Sequence, residues 1–182
     1  MSLKNRLLGR KNRTAQWQKE PSLPLVVDLD KHALCGVSIG GHIDQLSGLG
    51  PSENIYNDSG IYYYLKQGFY LVSDNDLVET LIFRLLPDED SRPFTGLWRY
   101  QGRNLSISEQ TTPKDMRWAC GDPYHEFVED ETEILWFYEF PGVEWQFSWR
   151  ADGLLESVEI GIPELAYPEA RTLYGVKNPW PF

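Results

Sequence analysis

Hydrophobic and polar positions alternate along several short stretches of this chain, a pattern typical of β-strands with one buried face. Residues 77–83 have a counterpart 77 positions later, at residues 154–160. Each of these stretches follows an aromatic-rich strand pattern and a turn that contains Gly, Asn or Asp. A pattern that returns at a fixed interval indicates one structural unit used twice.

Both predicted units contain a short helix followed by a three-stranded antiparallel meander. The first unit is predicted to have a strand at 33–39, a helix at 42–48 and strands at 61–66, 69–73 and 77–86. The second is predicted to have a strand at 99–107, a helix from Thr112-Pro113 and strands at 134–140, 145–150 and 154–162. This order predicts an α+β fold of two tandem helix-plus-antiparallel-meander repeats, which form a continuous or packed antiparallel sheet with helices on one face.

The same pattern divides the chain into five parts. They are a basic N-terminal arm (1–24), repeat one (25–87), a charged linker (88–98), repeat two (99–163) and a C-terminal tail (164–182). Residues 165–173 of the tail are predicted to be helical.

The first unit carries a series of short motifs with a known parallel: Leu49-Gly50-Pro51, Tyr62-x-Tyr64, Gly68 and Asp74-Asn75-Asp76. In this order they resemble the repeat of β-lactamase-inhibitor-protein-like domains, and also the small outer-membrane lipoprotein domains of the barrel-assembly machinery. The resemblance extends over about residues 33–162 and implies the tandem fold. The chain departs from those families because it has no secretory signal, no lipid-anchored cysteine and no disulfide pattern.

Charge is distributed unevenly along the chain. The net charge is −10, yet residues 1–20 carry +5 and the remaining 162 residues carry −15. An acidic body repels nucleic-acid phosphates and attracts a basic partner over a long range. We therefore expect a protein partner, with a basic protein favoured, and no nucleic acid.

Cysteine usage and hydropathy bear on the compartment. Cys35 and Cys120 are the two cysteines, and neither lies in a disulfide or metal-binding spacing. No apolar run approaches the ~18 residues of a membrane helix, and residues 1–20 contain no signal-peptide core. The sequence predicts a cytoplasmic protein with no membrane partner, and it leaves the oligomeric state open.

Aromatic residues occupy both faces of the predicted strands; in the strand at 61–66, alternation places Tyr62 and Tyr64 on one face and Tyr63 on the other. A single layer of helices covers only one sheet face, so some rings need another partner. The other repeat or the termini bury them, or they form an exposed patch for a protein partner. The residues of that candidate patch are Tyr62, Tyr64, Trp136, Tyr138, Trp145 and Trp149.

An acidic segment precedes the strand at 134–140. Its carboxylates are Glu126, Glu129, Asp130, Glu131 and Glu133. The interleaved glycine of a calcium loop is missing, so the segment is either a solvated loop or a docking site for a basic partner. Because repeat two has this segment and the extra tryptophans, we expect a binding surface to be biased towards it.

Catalytic and cofactor chemistry finds little support in these residues. No serine lies in a nucleophile elbow, no lysine follows the glycines near residue 40, and the three histidines lack metal-ligand spacing. The sequence predicts no catalytic residue, no metal and no cofactor. Whether the protein is an enzyme is left open, with a preference for a non-enzyme.

Two functions are compatible with this picture. The first is a non-enzymatic acidic protein-binding module, for example an inhibitor or immunity-type protein that acts on a basic partner. The alternative is a small apolar-ligand binding protein or enzyme with a pocket between the repeats, lined by Trp136, Tyr138, Trp145 and Trp149.

Overall fold

The computed structural model describes residues 12–54, 60–129 and 133–182, which form a sheet-rich α+β fold with two sheets. The strands are β1 (Val26–Asp28), β2 (Ala33–Leu34), β3 (Val37–Ser38), β4 (Ile61–Tyr64), β5 (Phe69–Asp74), β6 (Leu77–Arg84), β7 (Leu97–Tyr100), β8 (Arg103–Leu105), β9 (His125–Glu129), β10 (Glu133–Phe140), β11 (Val143–Arg150) and β12 (Leu155–Gly161). The 3-10 helices are η1 (Arg13–Gln16), η2 (Ile43–Leu49), η3 (Leu65–Gln67) and η4 (Glu164–Ala166). The α-helices are α1 (Pro113–Cys120) and α2 (Pro168–Leu173).

The small sheet has the order β3-β2-β1-β7-β8, with β1 and β7 parallel. The sequence predicted single strands at 33–39 and 99–107, but each is divided by a tight turn. The turn residues Cys35-Gly36 and Gln101-Gly102 all have positive φ, as a type I′ hairpin turn requires. Each predicted strand is therefore a hairpin, and the hairpins build a sheet that the sequence pattern did not predict.

The large sheet is antiparallel throughout and has the order β4-β5-β6-β12-β11-β10-β9. Strands β6 and β12 pair at its centre, with Phe83 opposite Val158 and Leu81 opposite Ile160. The meander β4-β5-β6 thus forms one half of the sheet, and β9 to β12 form the other half.

The main core lies between the two sheets. Alternation along the strands directs one row of apolar side chains of the large sheet, its inner face, towards the small sheet. Ring contacts cross the interface: Phe83 lies 5.0 Å from Trp98, and Tyr100 lies 5.5 Å from Trp145, centroid to centroid. The small sheet therefore covers part of the face that was expected to lie under helices.

Helical segments lie on both faces of the large sheet, which corrects the expectation of helices on one face. Leu46 of η2 and Met116 of α1 belong to the main core. Leu165 of η4 and Ala170 of α2 pack on the opposite, outer face, against Phe137 and its neighbours. The reason is that the chain after β12 turns back over the sheet. The segment of residues 163–182 is called the C-terminal segment below.

The part of the N-terminal arm that the structure describes is docked on the body. The side-chain amide of Asn12 donates to Ser52 Oγ at 2.7 Å, and the Thr14 hydroxyl donates to the same oxygen at 2.9 Å. Arg13 pairs with Asp44 and Asp76, and Trp17 packs against the main core. Residues 12–17 thus belong to the folded body.

Candidate functional site

The six aromatic residues of the candidate patch lie in the main core, so the alternative in which the fold buries these rings is correct, and they do not form an exposed patch. Their exposed fractions are 6% or less. Trp145, for example, is fully buried and lies 4.2 Å from Phe140 and 6.2 Å from Tyr138, centroid to centroid. Several elements bury these rings: Tyr100 of the small sheet packs against Trp145, and the guanidinium of Arg117 on α1 lies 4.3 Å from the centre of the Trp136 ring. The sequence pattern did not reveal the small sheet.

Polar atoms of several of these rings hydrogen-bond to other parts of the fold. The Tyr64 hydroxyl donates to the carbonyl oxygen of Gly50 at 3.1 Å, and the Tyr138 hydroxyl donates to that of Gly121 at 2.9 Å. Trp145 Nε1 donates to His32 Nδ1 at 2.9 Å, and burial lowers the pKa of His32, so this nitrogen remains an acceptor. Side chains in mutual contact thus fill the region where the pocket between the repeats was expected.

The predicted acidic loop is in part a strand, because its first residues form β9 at the edge of the large sheet. Glu126 pairs with Arg117 at 2.6 Å, and Glu133 accepts a hydrogen bond from Ser148. The chain of Glu129 lies in β9, although its side chain is outside the description, and Asp130 and Glu131 lie outside the described residues. Both described carboxylates therefore already have partners within the protein.

The outer face of the large sheet differs between its two halves. On β10, Leu135 and Phe137 are 6% and 0% exposed, because the C-terminal segment packs over them through Leu165 and Tyr174. We call this region, the outer face of β9, β10 and β11, the covered half. The C-terminal segment is further held by Tyr174, whose carbonyl oxygen lies 2.8 Å from His125 Nε2.

The outer face of β4, β5 and β6 is called the open half. Here Tyr63 and Tyr70 lie opposite each other on adjacent strands, with ring centroids 5.8 Å apart. They are half-buried and form the floor of a groove of about 550 Å³, together with Ile61 and Leu65. Residues 88–91 form its rim, so aromatic surface and acidic side chains meet in one concave site.

The rim is held in place by Asp88. One oxygen of its carboxylate accepts the backbone N–H groups of Asp90 at 2.9 Å and Ser91 at 2.6 Å. The other oxygen pairs with Arg84 at 2.8 Å. These bonds form a local turn that is anchored to the sheet, and they leave Glu89 and Asp90 exposed beside the groove.

The electrostatics of the groove favour a cation. Within the described residues, neither Glu89 nor Asp90 has a basic group within 4.0 Å, whereas Asp88 is compensated by Arg84. Burial raises the pKa of Tyr70, and the negative charge of Glu159 acts in the same direction, so the phenol is neutral at physiological pH. A neutral tyrosine face attracts a cation through its quadrupole.

The sequence analysis identified only part of this groove. It recognised that Tyr63 lies on the opposite strand face from Tyr62 and Tyr64, but it assigned residues 88–98 to a linker. The signal that was available is the acidic run between Pro87 and Pro93, directly after the outer-face residue Arg84.

A second concave region lies beside α1. A groove of about 440 Å³ runs between the end of β8 and this helix, and Trp118 at its edge is 84% exposed. A tryptophan this exposed contributes little to folding. A carboxylate lines this groove as well, that of Asp115, but it is already engaged by Thr112 in the capping box at the start of α1.

Metal and membrane features are limited in this structure. Within residues 12–54, 60–129 and 133–182, no three His, Cys, Asp or Glu side chains are grouped as a metal ion would need. No helix of the described ranges is both long and apolar enough to cross a bilayer.

Comparison with known proteins identifies no family. No protein-family model matches the chain, and no curated protein sequence matches it. Among solved structures, a DUF4309 family protein (YjgB) from Bacillus subtilis subsp. subtilis strain 168 is similar, with a TM-score of 0.49 and 15% sequence identity over 70% of this chain and 83% of that chain. At this level of similarity, the comparison carries no argument about function.

Proposed function

We propose that this protein is a non-enzymatic binding module that takes a basic segment of a partner protein into the groove of the open half. One observation carries the proposal. Two carboxylates, Glu89 and Asp90, have no ion-pair partner among the described residues and lie on the rim of a groove with two tyrosine rings as its floor. A lysine or arginine side chain satisfies both parts of such a site. Its charged end meets the carboxylates, and its stem and cationic face lie against the rings.

The expected energies are modest for each contact. An exposed ion pair contributes about 0.2–1 kcal/mol, and a cation over an aromatic face contributes about 0.5–2 kcal/mol. Long-range attraction adds to the rate of association, because residues 21–182 carry a net charge of −15. These magnitudes are those of a site that reads one or two cationic side chains within a larger interface.

An inhibitor or immunity-type role is the form of this function that we favour. Such a protein acts by covering a basic surface of its target, and strong negative charge speeds that encounter. The support for this role is the charge of the body and the acidic groove, and the role is therefore part of the proposal.

The proposal is tested with short peptides as probes. Binding of hexaarginine, hexalysine and hexaglutamate is measured by calorimetry at low and at physiological salt. We expect the two basic peptides to bind and hexaglutamate not to bind, and the double variant Glu89→Gln, Asp90→Asn to weaken binding about ten-fold, as expected from the loss of two charge contacts.

A matched control separates the groove from the overall charge. The double variant Glu169→Gln, Asp74→Asn removes the same charge from exposed positions elsewhere, and it is expected to retain at least half of the wild-type affinity. Equal losses in the two double variants would show that only net charge attracts the peptides, and this result would overturn the proposed site.

We also infer that the two halves of the chain descend from a duplicated unit. Gly50 after η2 has φ 80 and ψ −171, and Gly121 after α1 has φ 84 and ψ −171. Each carbonyl accepts a tyrosine hydroxyl from a strand of the large sheet, Tyr64 of β4 in one case and Tyr138 of β10 in the other, and each of these strands begins a three-stranded meander, β4-β5-β6 or β10-β11-β12. This match supports tandem repeats. It is also the basis on which we propose the resemblance to β-lactamase-inhibitor-protein-like domains.

The compartment that we propose is the cytoplasm. Cys35 and Cys120 are both free and half-buried, and burial raises the pKa of Cys120 to about 12. Unreactive, unpaired thiols are in keeping with a reducing environment. Fractionation of cells that produce the full-length chain tests this assignment.

A further inference from the structure

Three glutamates, one buried and two half-buried, lie on the outer face where the covered half ends. Glu139 on β10 lies directly opposite Glu144 on β11, and Glu159 lies on the neighbouring strand β12. Glu144 is 5% exposed, and both carboxyl oxygens of Glu139 are shielded from solvent. Strands normally avoid acidic side chains in such positions, because a buried charge needs a partner.

The two opposed carboxyl groups differ in their surroundings. Glu144 accepts the backbone N–H of Leu165 at 3.1 Å, at the point where the C-terminal segment first meets the sheet. By contrast, no N–H or O–H donor of the described residues reaches either oxygen of Glu139. An ionised Glu139 would be a buried, unsatisfied charge beside another carboxylate, whereas a protonated Glu139 donates a hydrogen bond to Glu144.

We propose that Glu139 and Glu144 share one proton, and that this acid–carboxylate pair is a latch that fastens the C-terminal segment to the large sheet. The proton on Glu139 allows Glu144 to remain ionised while buried. The ionised Glu144 then holds Leu165, which is fully buried against Leu135 and Phe137. Loss of the proton places two negative charges face to face and releases the segment, starting at η4.

The surrounding charges act mostly in favour of retaining the proton. Glu159 faces the pair from β12 and Glu164 faces it from η4, while Arg171 of α2 is the nearby cation. Burial raises the pKa of Glu139 to about 9, and the hydrogen bond to Glu144 adds to this shift. Burial likewise raises the pKa of Glu144. Burial raises the pKa of Glu159 to about 7, helped by the charges of Glu144 and Glu164.

The consequence is a C-terminal segment that is closed at neutral pH and opens in alkali. Opening uncovers Leu135 and Phe137, so the covered half becomes an exposed apolar surface. The groove of the open half is separate from this event, because the apolar cluster under the C-terminal segment includes neither Tyr63 nor Tyr70.

The test follows the amide of Leu165 by hydrogen exchange in the full-length chain. Protection factors, corrected for intrinsic exchange, are compared between this amide and amides of β11 from pH 6 to pH 10.5. In the wild-type protein we expect protection at Leu165 to fall as pH rises towards about 9, by up to about ten-fold per pH unit, and to level off above that pH, where the carboxyl has lost its proton in both the closed and the open state. In Glu139→Gln, whose amide donates to Glu144 and cannot ionise, we expect that loss to disappear.

A control and a second measurement complete the test. Glu159→Gln removes another carboxylate of the same face and is expected to retain the loss of Leu165 protection with rising pH. In wild-type protein labelled with ¹³C at glutamate carboxyls, one carboxyl resonance is expected to remain that of the protonated form at pH 8, whether or not the variants fold. Full ionisation of every glutamate at pH 8 would overturn the latch. So would the same loss of Leu165 protection with rising pH in Glu139→Gln.

Discussion

The open and covered halves belong to one sheet with continuous strand pairing, yet their exposure to solvent differs. Phe137, Gln146, Glu159, Ile82, Tyr70 and Tyr63 form a continuous row across the outer face. At one end of this row, Phe137 lies under the C-terminal segment, and at the other end Tyr63 lies in an acidic groove. The comparison teaches that two parts of one sheet acquire distinct surfaces from the segments that flank them.

The two tyrosine–glycine contacts, by contrast, are the same in both parts of the large sheet. Tyr64 of β4 and Tyr138 of β10 each fix the chain that follows a helical segment to the large sheet. Both tyrosines lie on the inner face, where Trp98 of the small sheet contacts Phe83 and Tyr100 contacts Trp145. The inner face of the large sheet is thus alike in its two parts, whereas the outer face differs between them.

The largest contrast is expected when one ring is truncated in each half. Phe137→Ala empties a fully buried site and is expected to lower the free energy of unfolding by about 3–5 kcal/mol. Tyr70→Ala removes a half-buried ring from the open half and is expected to cost about 1 kcal/mol. Urea denaturation measures both values, and equal losses would mean that the two halves are equally covered.

The pH dependence of stability distinguishes the covered half next. Glu139 has a pKa of about 9 in the folded state and about 4.3 in the unfolded chain, so the folded state binds more protons between these values. Stability is therefore highest at low pH in this window and falls as pH rises, by up to about 1.4 kcal/mol per pH unit. Urea denaturation at pH 7, 8 and 9 should show this slope, and Glu139→Gln should flatten it.

A smaller and equal effect is expected at the two tyrosine hydroxyls. Tyr64→Phe and Tyr138→Phe each remove one hydrogen bond to a backbone carbonyl and should each cost about 1 kcal/mol. The two losses in unfolding free energy are expected to agree within about 0.5 kcal/mol. A cost at one position and none at the other would break the structural equivalence of the halves.

The smallest effect on stability is expected in the groove itself. Glu89 and Asp90 are exposed and have no ion-pair partner among the described residues, so Glu89→Gln, Asp90→Asn should change the free energy of unfolding by less than about 0.5 kcal/mol. Thermal and urea denaturation check this expectation. A large loss would assign these carboxylates to folding rather than to binding.

Much of the large sheet could be predicted from the sequence, since strict alternation and strong turns fix its strands. The predicted strand at 134–140 corresponds to β10 within one residue, and Thr112 and Asp115 form the capping box that starts α1. The small sheet was not predicted, because Cys35-Gly36 and Gln101-Gly102 gave weak turn signals. The cover of the outer face was also not predicted, since it depends on contacts between distant residues such as Phe137 and Leu165.

The groove shows the same limit from another side. Alternation placed Tyr63 on the opposite face from its neighbours, which is correct. The rim depends on the bonds from Asp88 to Arg84 and to the backbone N–H of Ser91, and no local pattern reveals which way such a turn folds. The predicted bias towards repeat two followed from composition, whereas the open surface lies in the other half because the C-terminal segment covers its counterpart.

The most direct test of the account is a nuclear magnetic resonance titration of the ¹⁵N-labelled full-length protein with hexaarginine. We expect the largest shift changes at Tyr63, Tyr70, Glu89 and Asp90, with little change at Leu135 and Phe137. This pattern should vanish with hexaglutamate and weaken in Glu89→Gln, Asp90→Asn. Changes centred on the covered half, or spread evenly over the acidic surface, would contradict the assignment of the open half as the binding surface.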